Sequence, residues 1–340
     1  MKQLNSLLAP ALAIVLLLVV PAAVLGQSVD PASPRTPWGD PDLQGIWTSS
    51  TYTPLQRPGN LADRALFTEE ELADLNEILT AGGVDPLPAR DVIASDDTAE
   101  RLERTRQPDD VHYDNAVWLT EEQPKRLSSR RTSLIVDPPN GRIPPLVSEA
   151  QERAMKRHEA YSLDSYENRP VGERCLVWWH EGPPMLPAAY NDILRIFQTQ
   201  DYVVIFQEMN NNGPRIVPLD GRPHLPSTIR QWPGDSRGHW DGETLVVDTI
   251  NFNAKNPFNG SGHGLHVVER FTRDAEKGIH YEFTVDDPTA WARSWSAEFP
   301  LMKREGPLFE YACHEGNYDI RHILEVARHL DKATATEDTE

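Results

Sequence analysis

Three groups of side chains in this sequence have types and spacings that could do chemistry. The densest runs Arg230-Gln231-Trp232-Pro233-Gly234-Asp235-Ser236-Arg237-Gly238-His239-Trp240-Asp241. Within five positions it offers Asp235 as a base, Arg237 as an anion clamp and His239 as a proton carrier. The bland alternative is a structural loop held by Asp–Arg pairing and packed tryptophans. The second group is Cys313-His314-Glu315, where a carboxylate beside His314 could raise its basicity. Glu315 and Asn317 read equally well as helix-capping residues. The third is Glu269, whose same-face strand neighbours Val267 and Phe271 are apolar. A carboxyl in such a setting has a raised pKa and can act as a general acid.

Aromatic residues suggest binding rather than turnover. Six of the nine tryptophans fall between Trp178 and Trp295. Most should fill a core, but Trp178, Trp179 and Trp291 sit near turns, and with Trp232 and Trp240 they could line a stacking site for a flat ligand. Other chemistries lack their signatures. His263 and His266 lie in or beside a glycine-rich loop, and neither H-E-x-x-H nor a cysteine pair of metal-site spacing occurs, so no metal is expected. Ser236 lacks a nucleophile elbow. Asn259-Gly260-Ser261-Gly262-His263-Gly264 precedes a strand pattern, not a phosphate-binding helix. No cofactor is implied.

These residues must be positioned by short β runs. From Cys175 onward the pattern predicts strands over 193–199, 202–209, 215–219, 244–252, 265–272, 279–286, 295–302 and 308–313, punctuated by turns such as Gln200-Asp201, Asp241-Gly242 and Lys277-Gly278. Sequential strands with short connectors imply an antiparallel meander, and a long meander must close or hide its edges. The expected fold is therefore mainly β: an antiparallel up-and-down barrel or strongly curved sheet with helical and loop decoration. Gly45-Ile46-Trp47 should add a strand to it, and Ser133–Asp137 a short one. Helices are expected after Thr68, where Glu71 completes a capping box and Phe67 staples onto Leu72, after Ser148, with Gln151 as its capping partner, and over 319–330. The organisation expected is a leader over 1–26, a helix- and loop-rich segment with one strand over 27–174, the barrel over 175–316, and a terminal helix with a frayed tail over 317–340.

The address is read from the first residues. Lys2, the apolar run Leu7–Val20 and the small residues before Gln27 have the layout of a secretory signal peptide, with an apolar core too short for a spanning helix. In an oxidising compartment two cysteines, Cys175 and Cys313, read first as one disulfide, with two free thiols as the alternative. The chain carries a net charge of −19, and removal of Lys2 with the leader makes it one unit more negative. Such a surface repels phosphate backbones and anionic headgroups, so neither nucleic acid nor membrane insertion after cleavage is expected.

The blocks Asp42–Trp47, Val136–Pro145, Asp235–Trp240 and Tyr311–Asn317 resemble a group of exported bacterial proteins known only as hypothetical proteins, a likeness that implies no activity. Gly45-Ile46-Trp47 ahead of a late antiparallel meander is also similar to lipocalin-like (calycin) barrels. That resemblance implies a tryptophan closing one barrel end against a basic residue of a late strand. Two functions follow as expectations: an exported lipocalin-like protein, periplasmic or secreted, that binds an apolar or aromatic small molecule, or a cofactor-free acid–base enzyme (lyase, hydratase, isomerase or hydrolase). In either case Asp235, Arg237, His239, Glu269 and His314 are expected to converge on one barrel mouth.

Overall fold

A computed structural model of the protein describes residues 34–80, 93, 126–161, 165–178, 180–188, 192–274 and 278–337. The leader and Trp179 lie outside these residues, as do residues 94–125. Helix α1 spans Glu69–Thr80, α2 Ser148–Glu159 and α3 Asp319–Glu337. The strands are β1 (Gly45–Thr48), β2 (Ile135–Asp137), β3 (Ile193–Gln198), β4 (Tyr202–Gln207), β5 (Arg215–Pro218), β6 (Asp235–Asp241), β7 (Thr244–Ile250), β8 (His266–Asp274), β9 (Gly278–Asp286) and β10 (Trp295–Arg304). No helix among the described residues is long and apolar enough to cross a membrane.

The sheet order β5-β4-β3-β1-β10-β9-β8-β7-β6 is antiparallel throughout. Read around a cylinder, this is chain order, with β1 joining the first strands to the last. β5 and β6 face each other across the seam without ladder bonds, so the barrel is nearly closed. Gly238 allows that approach, since a Cβ there would stand 2.8 Å from a Val217 methyl and 2.7 Å from a Leu219 methyl. Because β1 is short, it covers only part of one edge of β10, pairing at Met302–Arg304, and β2 takes the same edge at Ser296 and Ala297.

Period-two alternation sets the interior. Val267, Glu269 and Phe271 of β8 and Tyr281, Phe283 and Val285 of β9 are all fully buried. Phe271, Phe283 and Phe299 pack around Tyr281 with ring centroids 4.9 to 5.8 Å away. One barrel end is shut by Trp47, which donates from its indole nitrogen to the Leu43 carbonyl and lies under the Arg273 guanidinium, 4.9 Å from the ring centroid. At the other end lie Arg215, Gln207, Asp235, His266, Asp286 and Trp295, with long loops over them.

Several expectations about elements need correction. Residues 308–313 form no strand, whereas 235–241, read as a loop, is strand β6. Inward positions Ser236 and Gly238 are too small and polar to show a hydrophobic period, which is why the strand was hidden. The Thr68–Glu71 capping box forms in both directions, at 2.8 and 3.1 Å. Ser148 does not cap α2: it is already helical, and Gln151 reaches back to the Leu146 carbonyl instead. Cys175 and Cys313 are joined by a disulfide, with their Cα atoms 5.7 Å apart.

Candidate functional site

The open end of the barrel carries a cleft of about 190 Å³. Its walls come from three loops: Val177 and Trp178 with Gly182–Leu186, Trp232 after the β5–β6 connection, and Phe252 with Asn256–Leu265. Each wall has a physical reason to be there. The first loop dips into the barrel because the Met185 N–H donates to the Tyr281 hydroxyl at 2.9 Å, leaving Met185 fully buried. Gly182 makes the turn at φ +76°, where a Cβ would meet the Met185 nitrogen at 2.8 Å. Phe258 stacks on Trp295 with centroids 5.9 Å apart, so the cleft ends on the aromatic core.

The second wall hangs on a strap, residues 219–234, that runs back along the outside of the barrel. Asp235 accepts from the Leu225 N–H at 2.8 Å and pairs with Arg237 at 2.6 Å and His224 at 3.0 Å. Arg237 also donates to the Pro223 carbonyl, and Asn251 to the Leu225 carbonyl. Asp235 and Arg237 thus come together, but as anchors of the strap on the outer wall. Outward parity explains this, since Arg237 pairs with Asp248 and His239 with Val246 and, through it, Arg270.

The other expected site residues separate, because they differ in parity or position. His239 is exposed on the outer wall and His314 is exposed in the turn after Cys313, so neither reaches the cleft. Glu269 faces the barrel interior and is fully buried. Trp240 points inward at the end opposite the cleft, against Leu245. Trp291 is buried edge-on against Trp295, a core residue and not a lining one. The expected convergence of five residues on one mouth does not occur. Trp178 and Trp232 do line a common cleft.

Sequence reading missed the partners that matter inside. Arg215 on β5 reaches across the seam to Glu269 on β8, with guanidinium contacts of 2.6 and 3.0 Å. The Tyr281 hydroxyl donates to the same carboxylate at 2.7 Å. Burial and then the Glu269 charge hold the Tyr281 hydroxyl well above its ordinary pKa, so it is a neutral donor. Above Arg215 lies a second, smaller cavity of about 40 Å³, whose lining includes Glu181, Gln207, Asn210 and Asn212. Burial raises the Glu181 pKa, opposed by hydrogen bonds from Asn212, Asn211 and Trp178. On the outer wall His280, Glu282 and Glu298 place ligand atoms within 4.8 Å of one another, but Arg131 already pairs with Glu298 at 2.9 Å.

His224 and His266 both contact Asp248, at 2.9 and 2.6 Å. The hydrogen bond that His266 donates to the Asp248 carboxylate raises the His266 pKa above 6.5. Burial pushes Asp248 up, but the bonds from His266 and His224 outweigh it and leave the carboxyl below 3.8. The raised histidine stabilises the fold fully below about pH 6.5 and loses that effect as pH rises through its folded-state pKa. The lowered aspartate contributes above about pH 3.8 and fails as pH falls through its own folded value. Stability of the wild type relative to His266→Gln should therefore be greatest between about pH 4 and 6.5 and decline above it. The difference should stay below about 1 kcal/mol because the pair is over one-third exposed. Urea midpoints across that range check this, and a difference that grows above neutrality contradicts it.

Comparison with protein-family models, curated proteins and solved structures finds no match to this chain.

Proposed function

We propose that this protein is an exported, lipocalin-like binder of a small aromatic molecule, held in the cleft at the open end of its barrel. The observation that carries the reading is the cleft lining: Trp178, Trp232, Phe252, Phe258, Leu186 and Leu265 converge on one space of about 190 Å³. Its size decides the ligand class. An apolar cavity near 150 Å³ holds a benzene ring, and drug-sized ligands need roughly 300 Å³ or more. One- and two-ring molecules fit, while long acyl chains would need the barrel interior, which aromatic side chains fill. The stacking of Arg273 on Trp47 supports the lipocalin-like part of the reading, and the disulfide supports an oxidising location. The acid–base alternative is disfavoured because His239 and His314 stand outside the barrel and Glu269 is committed to Arg215 and Tyr281.

Calorimetric titration with naphthalene tests the reading. Removing one indole face re-exposes on the order of 60 Å² of ring, about 1.5 kcal/mol or tenfold in affinity. Trp232→Ala should weaken binding by that factor, whereas His239→Ala, on the outer wall, should leave it unchanged. Equal affinity for wild type and Trp232→Ala would overturn the assignment.

A further inference from the structure

The smaller cavity neighbours the aromatic cleft through shared and consecutive lining residues. Gly182 lines both, and the chain passes from the cleft at Trp232 into the cavity at Pro233. Its polar lining is selective. Gln207 is 2 % exposed, and its amide nitrogen donates to the His180 carbonyl at 3.0 Å, which fixes the side-chain oxygen as the free end. That oxygen is buried and accepts no hydrogen bond among the described residues. The Glu181 oxygens, by contrast, already take three N–H donors, from Trp178, Asn211 and Asn212. Arg215 directs both terminal nitrogens at Glu269.

Resting on the aromatic-binding reading, we infer that the ligand carries one neutral hydrogen-bond donor, a ring hydroxyl or ring N–H, that reaches the Gln207 Oε1. Each competing headgroup fails on the same inventory. An ammonium brings three donors and a charge to a cavity where, among the described lining residues, Gln207 Oε1 is the one buried side-chain acceptor without a partner, beside the Arg215 cation. A carboxylate would face the Gln207 oxygen and the Glu181 carboxyl while Arg215 is already paired. A space of about 40 Å³ is small and suits a hydroxyl-sized polar group, a water needing roughly 10–15 Å³ of such space. The apolar cleft supplies the grip and Gln207 the discrimination, because a site built to pair a hydroxyl rejects the analogue lacking it.

The test compares naphthalene, 2-naphthol and 2-methoxynaphthalene on the full exported protein and on Gln207→Leu. A net neutral hydrogen bond corresponds to about fivefold in affinity. Wild type should bind 2-naphthol about fivefold or more tightly than either analogue, and Gln207→Leu should bind 2-naphthol and naphthalene equally. The wild-type series stands alone should Gln207→Leu fail to fold. Equal binding of naphthalene and 2-naphthol to wild type would overturn the inference and leave the cleft reading intact. No binding of any of the three would overturn both.

Discussion

Replacing Glu269 with alanine is expected to destabilise the fold by about 3–5 kcal/mol, among the largest effects of any single change in the barrel. The carboxylate is fully buried and the Arg215 side chain is 10 % exposed, so the change strands a guanidinium in a place water scarcely reaches. The Tyr281 hydroxyl loses its acceptor at the same time. The seam gives the loss a further consequence, because β5 and β6 share no ladder bonds there and Arg215 ties β5 to the far wall. Changing both partners to leucine should recover much of the loss, since paired apolar replacements of a buried ion pair are often neutral. Urea unfolding of the two single variants and the double variant reads this directly. A Glu269→Ala midpoint matching wild type would show the pair to be dispensable.

Removing the disulfide is the second large effect. The Cys175–Cys313 bond closes a loop with a sequence separation of 138 residues. The chain-entropy model puts its contribution near 5 kcal/mol, and strain or residual structure brings typical values to about 2–4 kcal/mol. The bond also fixes the loop that supplies Val177 and Trp178, and the Asn317 amide donates to the Cys175 sulfur at 3.1 Å. The double variant Cys175→Ala/Cys313→Ala should unfold at lower urea by a corresponding margin. Thiol titration of denatured, unreduced wild type should find no free thiol. Two reactive thiols, or an unchanged midpoint, would remove the bond from the account.

The barrel was legible in the sequence because it is written in period two. Val267, Glu269 and Phe271 alternate with solvated residues, and the same holds for Tyr281, Phe283 and Val285, so these strands and their inward faces follow from spacing. The exceptions are instructive. In Arg215-Ile216-Val217-Pro218 the apolar Ile216 is 57 % exposed, while Arg215 turns inward onto Glu269 on the same face as the fully buried Val217. The charge that meets Arg215 lies on β8, and no local pattern reports that partner. β6 was hidden for the converse reason: of its inward positions only Trp240 is apolar, and Ser236 and Gly238 before it give no apolar signal.

The site divided along the same line. Trp178 and Trp232 were identifiable as residues near turns at strand ends, and both line the cleft. His239 drew attention by residue type, but its parity on β6 sends it outward. Asp235 and Arg237 proved to hold a strap against the wall, a role set by their contacts to Leu225 and Pro223 and invisible without them. Phe252, Phe258 and Gln207 carry no local mark of function. Loops and strands distant in the chain bring them to one mouth.

The central claim is that the aromatic ligand sits at the open end, between Trp178 and Trp232, and its most direct test is indole N–H NMR during a naphthalene titration. Resonances can be assigned by Trp→Phe substitution. The account predicts that the Trp178 and Trp232 indole signals shift in a saturable manner, while those of Trp47 and Trp240, at the opposite end of the barrel, stay in place. Saturable shifts confined to Trp47 and Trp240, or no shift of any indole at ligand saturation, would contradict it.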